Sequence, residues 1–560
     1  VENHEGRPTH IEGNFNHSSS LGATNGFVQA SILDLYDPDR SKYIRHKNKK
    51  SSIATFSKAL AELKKSNKVI KILSPSFSSP SLNNLKIDLK SKNIDWVCYD
   101  PINNESELDG LKAVIGKKVK AVYHFDKADR ILSIDSDFLN MDENSISNTK
   151  GFSKKRKVVN RKTANMNRLY SVEGCLSTTG AMSDHRLRLK QSEIENFVSM
   201  LWDRFNSNKK SSNVFLESLY RDLSSSKFKG KSIIKGGFRL SEESHSLIAL
   251  MNDKLGNIGK TINYIALKNS SYNPSNTSDF NNLIKEIKLK KVDCLFVLES
   301  NPVYFSKSNY NFKELLKKIP TSIHFGSHYD ETGILCDWHI PKAHYLESWG
   351  DCESTDGTIS ITQPLISPLY NSYSTLDVLS ILKDPVKNKS IKPMANAFKM
   401  IKSKYSTNYN WNKVLYNGKV KNGPSIKKSV SVKKSIKSKK RDNSNNNLEL
   451  VFFLSSSTYD GSFSNNGWLQ ESPDSISKVT WDNVAIMSNS TAKELKIKNE
   501  ELINIKYNGS EIKMPAWILP GHADNQISVQ VGYGRTFNCK VAKNVGSNVY
   551  PLMNGTFSNM

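Results

Sequence analysis

A duplicated pair of segments limits the folds open to this chain more than any other feature. Lys127–Phe138 (KADRILSIDSDF) aligns without a gap on Lys291–Pro302 (KVDCLFVLESNP). Downstream, Thr178–Arg186 reads against Glu331–His339, with Thr, Gly and Asp in the same register. In each copy a strand-like apolar run comes first and a turn-like segment follows. Short apolar runs bounded by turn residues suit strands covered on both faces, as in parallel sheets. The repeat is about 160 residues long, far beyond a solenoid period. A duplicated α/β lobe is therefore predicted.

The remaining pattern agrees with βαβ layering. Residues 52–65 read as an amphipathic helix and 82–92 as a helix, and 68–73 and 94–99 as strands. Further strands are predicted at 128–134, 167–173, 232–237 and 292–298, with helix across 191–228 and 242–255. Alternation of this kind predicts parallel sheets. From Leu448 the texture changes to short strands, with Asn508-Gly509 as a hairpin turn. The predicted organisation is a loop-rich segment 1–51, a first α/β lobe 52–190 and a second lobe 191–418. A basic low-complexity linker, 419–447, then leads to a β-barrel-like domain, 448–560. Like charge and low hydrophobicity predict a mobile linker.

The net charge of +26 comes mostly from lysines spread over the whole chain. A nucleic-acid binder would concentrate that charge with interleaved aromatics, so this class stays a secondary alternative. No CxxC occurs among the six cysteines, so iron–sulfur and zinc-ribbon spacings are absent. Cys294, in an apolar run, reads as a small core residue. No signal-type apolar segment and no run near 18 apolar residues occurs. Membrane attachment would then come through a partner.

The stretch 327–364 concentrates polar chemistry. His328, Cys336, Asp337, His339, His344 and Cys352 have zinc-compatible side chains, but no pair has fingerprint spacing, and turns and caps explain them equally well. Ser183-Asp184-His185 is no triad, because triads converge in space rather than along a tripeptide. Ligands of parallel sheets collect at the carboxyl ends of strands. A large anionic cofactor, if bound, is expected between Asn301 and the turn Glu331–Asp337.

An ordered set of motifs resembles the molybdopterin oxidoreductase superfamily, dimethyl-sulfoxide-reductase type. The set is GRPTHIEGN, LYDPDR, LGNIG, LESNPVY, ETGILCDWHIP with Glu347 and Gly350, DGTI, and the ending from NVAIMSNSTAKEL to VGYGR. HSSSLGATNGFVQASILDLYDPDRS and MNRLYSVEGCLSTTGAMSDHRL look most like the large iron–sulfur, molybdopterin-like subunit of bacterial alternative complex III, a quinol:electron-acceptor oxidoreductase. The resemblance implies two related parallel-sheet lobes and a C-terminal double-psi β-barrel. It implies a chain that is a fragment, holds no molybdenum cofactor and is non-catalytic. Iron–sulfur clusters would lie in a ferredoxin-like flanking part. Cytochrome c and quinol-binding membrane subunits would be partners, on the periplasmic side of the inner membrane. The alternative is an active enzyme holding a molybdopterin guanine dinucleotide, with Asn301, Thr332 and Asp337 as the family-position candidates. Glu299 replaces a glycine favoured by catalytic relatives, and an acid there is expected to repel a pyrophosphate. No Cys or Ser ligand for molybdenum is evident in the first lobe.

Overall fold

The computed structural model describes residues 1–162, 165–267, 270–421, 432, 447–537 and 539–554. Nine strands build two parallel arrays: β1 (Ile70–Ser74), β2 (Ile94–Cys98), β3 (Arg130–Ile134), β4 (Arg168–Glu173), β5 (His185–Arg188), β6 (Ser232–Gly236), β7 (Cys294–Leu298), β8 (Thr321–Gly326) and β9 (Trp338–Pro341). Among the described residues, one sheet runs β5-β4-β3-β6, all parallel. The other runs β9-β8-β7-β1-β2, also parallel, and a hairpin of Arg45–His46 and Lys49–Lys50 adds antiparallel to β9.

The duplication is present residue for residue. Strands β3, β4 and β5 have the same bounds as β7, β8 and β9 under the alignments read from the sequence. The residues that follow β3 and β7, Asp135 and Glu299, both have φ of 52°. Each donates its backbone N–H across the sheet, to Val172 and Phe325 respectively. Thr179 Oγ1 donates to Asp137 at 2.8 Å, and Thr332 Oγ1 donates to Asn301 at 2.6 Å. Asp184 accepts from Leu169 N, and Asp337 accepts from Ser322 N. One local design thus appears twice.

The fourth strand of each sheet comes from the other half of the sequence. β6 pairs with β3, and β1 pairs with β7 in the matching register. Segments 52–190 and 191–418 are therefore not two self-contained lobes, as the sequence predicted. β1 and β2 leave the first segment to complete the second sheet. The physical reason is that strands β1 and β6 are both short, apolar and buried, so periodicity does not reveal which sheet takes which strand. Residues 1–51, expected to be loop-rich, hold little regular structure beyond short pieces. They contribute the edge hairpin and a helix, Gly26–Leu35, capped by the Asn25 side chain accepting from Val28 N.

Every residue of β7 is buried, and its alternate side chains serve two cores. Cys294, Phe296 and Leu298 face helices Pro80–Leu89 and Thr375–Lys383. Leu295 and Val297 face helix Thr277–Lys288 and the C-terminal domain. Each such side chain removed from water contributes about 1.5–3 kcal/mol. A third core covers the β5-β4-β3-β6 sheet with helices Gln191–Ser207, Val214–Ser224 and Glu242–Lys254.

The C-terminal part contains β10 (Glu449–Phe453), β11 (Ala485–Met487), β12 (Leu502–Tyr507), β13 (Ser510–Ile518) and β14 (Gln526–Gln530). They form a mixed sheet in the order β10-β14-β11-β13-β12, and no pairing among the described residues joins its edges into a barrel. Phe452, Met487, Val529 and Tyr550 share one continuous core with Leu73, Val97 and Phe280. This domain is consequently docked on the second sheet rather than standing apart. Of the predicted linker, Lys419–Lys421 forms a strand against Ile359–Thr362. The expected mobility concerns residues that otherwise lie outside the described ones, apart from 432 and 447.

Candidate functional site

A cavity of about 370 Å³ lies where the carboxyl ends of β1, β7 and β8 meet the C-terminal domain. Its wall includes Asp100, Glu299, Asn301, His324, Asp330, Lys342, Asp460 and Arg535. This is the position that parallel sheets reserve for ligands. Three motifs distant in sequence converge here: LESNPVY with Asn301, ETGILCDWHIP with Glu331, and VGYGR with Arg535.

Glu331 is the hub. Arg535 donates to both its oxygens, at 3.1 and 2.9 Å, and Thr536 N and Asn301 Nδ2 donate as well. Burial opposes ionisation of this carboxyl, but Arg535 and the added donors outweigh it and hold the group at about 2. Arg535 Nη1 also donates to Gly461 O and Ser464 Oγ, while its guanidinium lies 4.6 Å from the Tyr304 and Phe537 ring centres. Asn301 spends its Oδ1 on Thr332 and its Nδ2 on Glu331. Thr332, fully buried, also accepts from Val303 N.

Of the three sequence candidates, Asn301 and Thr332 are therefore joined, and both are used internally. Asp337 is elsewhere. It accepts from Ser322 N and Oγ at the amino ends of β8 and β9, on the opposite sheet edge from Asn301. Its parallel in the first copy, Asp184, does the same, so the Thr-Gly-Asp pattern marks a turn rather than a ligand set.

Glu299 sits in a left-handed backbone conformation at the end of β7, a strained choice for a residue other than glycine. Lys342 and Thr375 both bond its carboxylate. Burial would raise its pKa, yet Lys342 and Thr375 together lower it, so the group stays ionised. The acid at Glu299 is thus paired, and it engages a lysine that an anion would otherwise use. In the first copy Asp135 is held in the same way by Arg239.

The zinc-compatible residues are separately engaged. His328 pairs with Asp37 at 2.8 Å, His344 caps the turn at Leu346 N, and Cys352 contacts Ser78. His324 and His339, neighbours across β8 and β9, are hydrogen-bonded through Nδ1 atoms 2.9 Å apart. Burial, reinforced by His324, drives the pKa of His339 well below the ordinary value. Cys294 is a buried core residue. Among the described residues no three His, Cys, Asp or Glu side chains converge as metal ligands. Nor is any helix there long and apolar enough to cross a membrane.

A pterin dinucleotide needs free donors or cations for its pyrophosphate. The cavity presents Lys342 and Arg535, already bound to Glu299 and Glu331, beside carboxylates Asp100, Asp330 and Asp460. The cavity beside Asp135 and Arg239 measures only about 80 Å³. These residues do not fit such a polyanion. Sequence reasoning missed Arg535, Lys342 and Asp100 as site residues. Arg535 was already inside a quoted motif, which was its only available signal.

No known family model matches the chain. Over 99 residues it is 33% identical to the menaquinone reductase, molybdopterin-binding-like subunit of Nitratidesulfovibrio vulgaris. The match takes in 17% of this chain and 14% of that protein's length. Acetylene hydratase from Pelobacter acetylenicus superposes with a TM-score of 0.69 at 12% identity, over 97% of this chain and 91% of that one. The mixed α/β architecture with its parallel sheets is thus similar in fold to that acetylene hydratase.

Proposed function

We propose that this chain is a cofactor-free, non-catalytic scaffold of a respiratory quinol-oxidising complex of the alternative complex III type. The observation that carries the reading is the doubled ion pair at the strand ends. Glu299 with Lys342, and Asp135 with Arg239, occupy the two positions where a dinucleotide would need open backbone and free charge. A relative whose own name is menaquinone reductase, molybdopterin-binding-like subunit, supports a quinone-linked complex. In this reading iron–sulfur clusters belong to a ferredoxin-like part outside residues 1–560. The chain stands on the periplasmic side of the inner membrane, held there by cytochrome c and membrane subunits.

Elemental analysis of the purified chain, with pterin fluorescence after oxidation, tests the proposal. Neither molybdenum, tungsten nor iron is expected in stoichiometric amount. Near one molybdenum and pterin per chain would replace the scaffold with an active oxidoreductase. Purification from membranes should bring a c-type cytochrome and a quinol-binding membrane protein along with the chain.

A further inference from the structure

The sheet that contains β7 is polarised along its strands. Its carboxyl ends carry the cavity's acids, among them Asp100, Glu299 and Asp330. Its amino ends carry exposed lysines. Lys318 enters β8, and Lys290 and Lys291 enter β7. Lys65 and Lys68 precede β1, and Lys90 and Lys92 precede β2. The hairpin turn at Lys47 lies on the same edge, because Lys47 N donates to Asp337 O. Strands in a sheet lie about 4.8 Å apart, so from the hairpin to β2 this basic row runs roughly 30 Å.

Local structure accounts for only part of the row. A lysine in the last turn of a helix answers the helix dipole, as Lys65 and Lys288 do. Lys47, Lys92 and Lys291 lie outside any last turn. The nearby acids are largely taken: Asp293 by Lys68, Asp88 by Lys383, Glu314 by Lys317, and Asp95 and Glu286 by Lys71. Glu62, one turn before Lys65, offsets one further charge. Lys47, Lys65, Lys90, Lys92, Lys290 and Lys291 have no ion pair to a described residue.

The apolar side chains here select the partner. Leu289, between Lys288 and Lys290, is 64% exposed, and so is Ile87, in the last turn of the helix before Lys90. Nucleic acids are held through stacking aromatic rings, and these turns expose none. Aliphatic tips among lysines suit a bilayer surface, where the tips enter the headgroup layer and the ammonium groups meet lipid phosphates.

We propose that the amino-end edge of this sheet rests directly on an anionic lipid bilayer, with Leu289 as its central apolar contact. This adds a lipid contact of the chain's own to attachment through partner subunits, and it does not depend on the scaffold reading. The acidic cavity then faces away from the lipid.

Flotation of the whole chain with vesicles tests the surface. Vesicles of equal parts phosphatidylglycerol and phosphatidylcholine should carry the chain at low salt and release most of it as salt rises. Pure phosphatidylcholine should not carry it. Lys288→Gln/Lys290→Gln/Lys291→Gln and, separately, Lys65→Gln/Lys90→Gln/Lys92→Gln should each weaken binding by about tenfold or more. Leu289→Asn should weaken it at unchanged charge. Lys493→Gln/Lys496→Gln/Lys498→Gln, of equal charge on the C-terminal domain, should change it less than twofold. Circular dichroism confirms folding, and the two triple variants guard against one that fails. No flotation with the anionic vesicles, an equal loss in the C-terminal variant, or displacement from vesicles by duplex DNA at equal phosphate would overturn the proposal. Metal and pterin analysis decides the scaffold reading separately.

Discussion

Glu331 and Arg535 tie the second sheet to the C-terminal domain through a buried pair. Their side chains are 8% and 9% exposed, so solvent screens the pair little. The folded carboxyl titrates at about 2 against an ordinary 4.5. A depressed acid stabilises the fold above its unfolded pKa, and that contribution is lost as pH falls. The pair should contribute on the order of 3 kcal/mol at neutral pH, lost progressively between about pH 5 and 2. Glu331→Gln leaves Arg535 buried without its counter-charge. Urea unfolding should show a loss of about 3 kcal/mol at pH 7 and a flatter acid limb. Asp100 works in the opposite direction. Burial raises its folded pKa to about 6, so its ionisation costs stability as pH rises from about 4 through 6. Asp100→Asn should therefore raise the urea midpoint at pH 8 and change little at pH 4. A midpoint that falls at pH 8 would contradict the assignment.

At the scale of elements, the two Thr-Gly turns repeat one another but are packed differently. A Cβ on Gly180 would lie 1.7 Å from Glu173 Oε1, whereas on Gly333 the nearest atom is His324 Nδ1 at 2.9 Å. Glu173 cannot move aside easily, because Arg186 and Ser177 hold it and it is 3% exposed. Gly180→Ala is expected to cost about 1–3 kcal/mol. Gly333→Ala should cost less, since an imidazole can turn by a few tenths of an ångström. Thermal melting of the two variants side by side checks the order.

For the whole molecule, the exchange of β1 and β6 makes the two sheets interdependent. Residues 191–418 expressed alone would lack β1 and β2, leaving one side of β7 with unpaired backbone groups and an uncovered apolar face. This fragment should be insoluble or unfolded by circular dichroism. Co-expression with residues 1–117 should recover a larger soluble fraction. Independent folding of 191–418 would mean that β1 is dispensable. The continuous core further predicts that the C-terminal domain and the second sheet melt together.

Much of the local structure was legible in the amino-acid sequence. The runs Arg130–Ile134 and Cys294–Leu298 announce buried strands because all their neighbours along the chain are turn or polar residues. The matched Thr-Gly-Asp turns announce the duplication, because a turn of this kind needs the same short side chains each time. Cys294 as a core residue follows from equally local chemistry. Only the tertiary structure decided which sheet receives Ile70–Ser74, that Asp337 faces the edge away from Asn301, and that Glu331 meets Arg535. Periodicity reports how a segment is buried, since burial alternates along the segment itself. It carries no address for a partner hundreds of residues away. Charges add a further ambiguity, because the chain has 80 Lys and Arg against 54 Asp and Glu and many pairings would neutralise Glu299 equally well on paper. Folded distance selects Lys342, and with that choice the strand end becomes a closed ion pair rather than an open anion site.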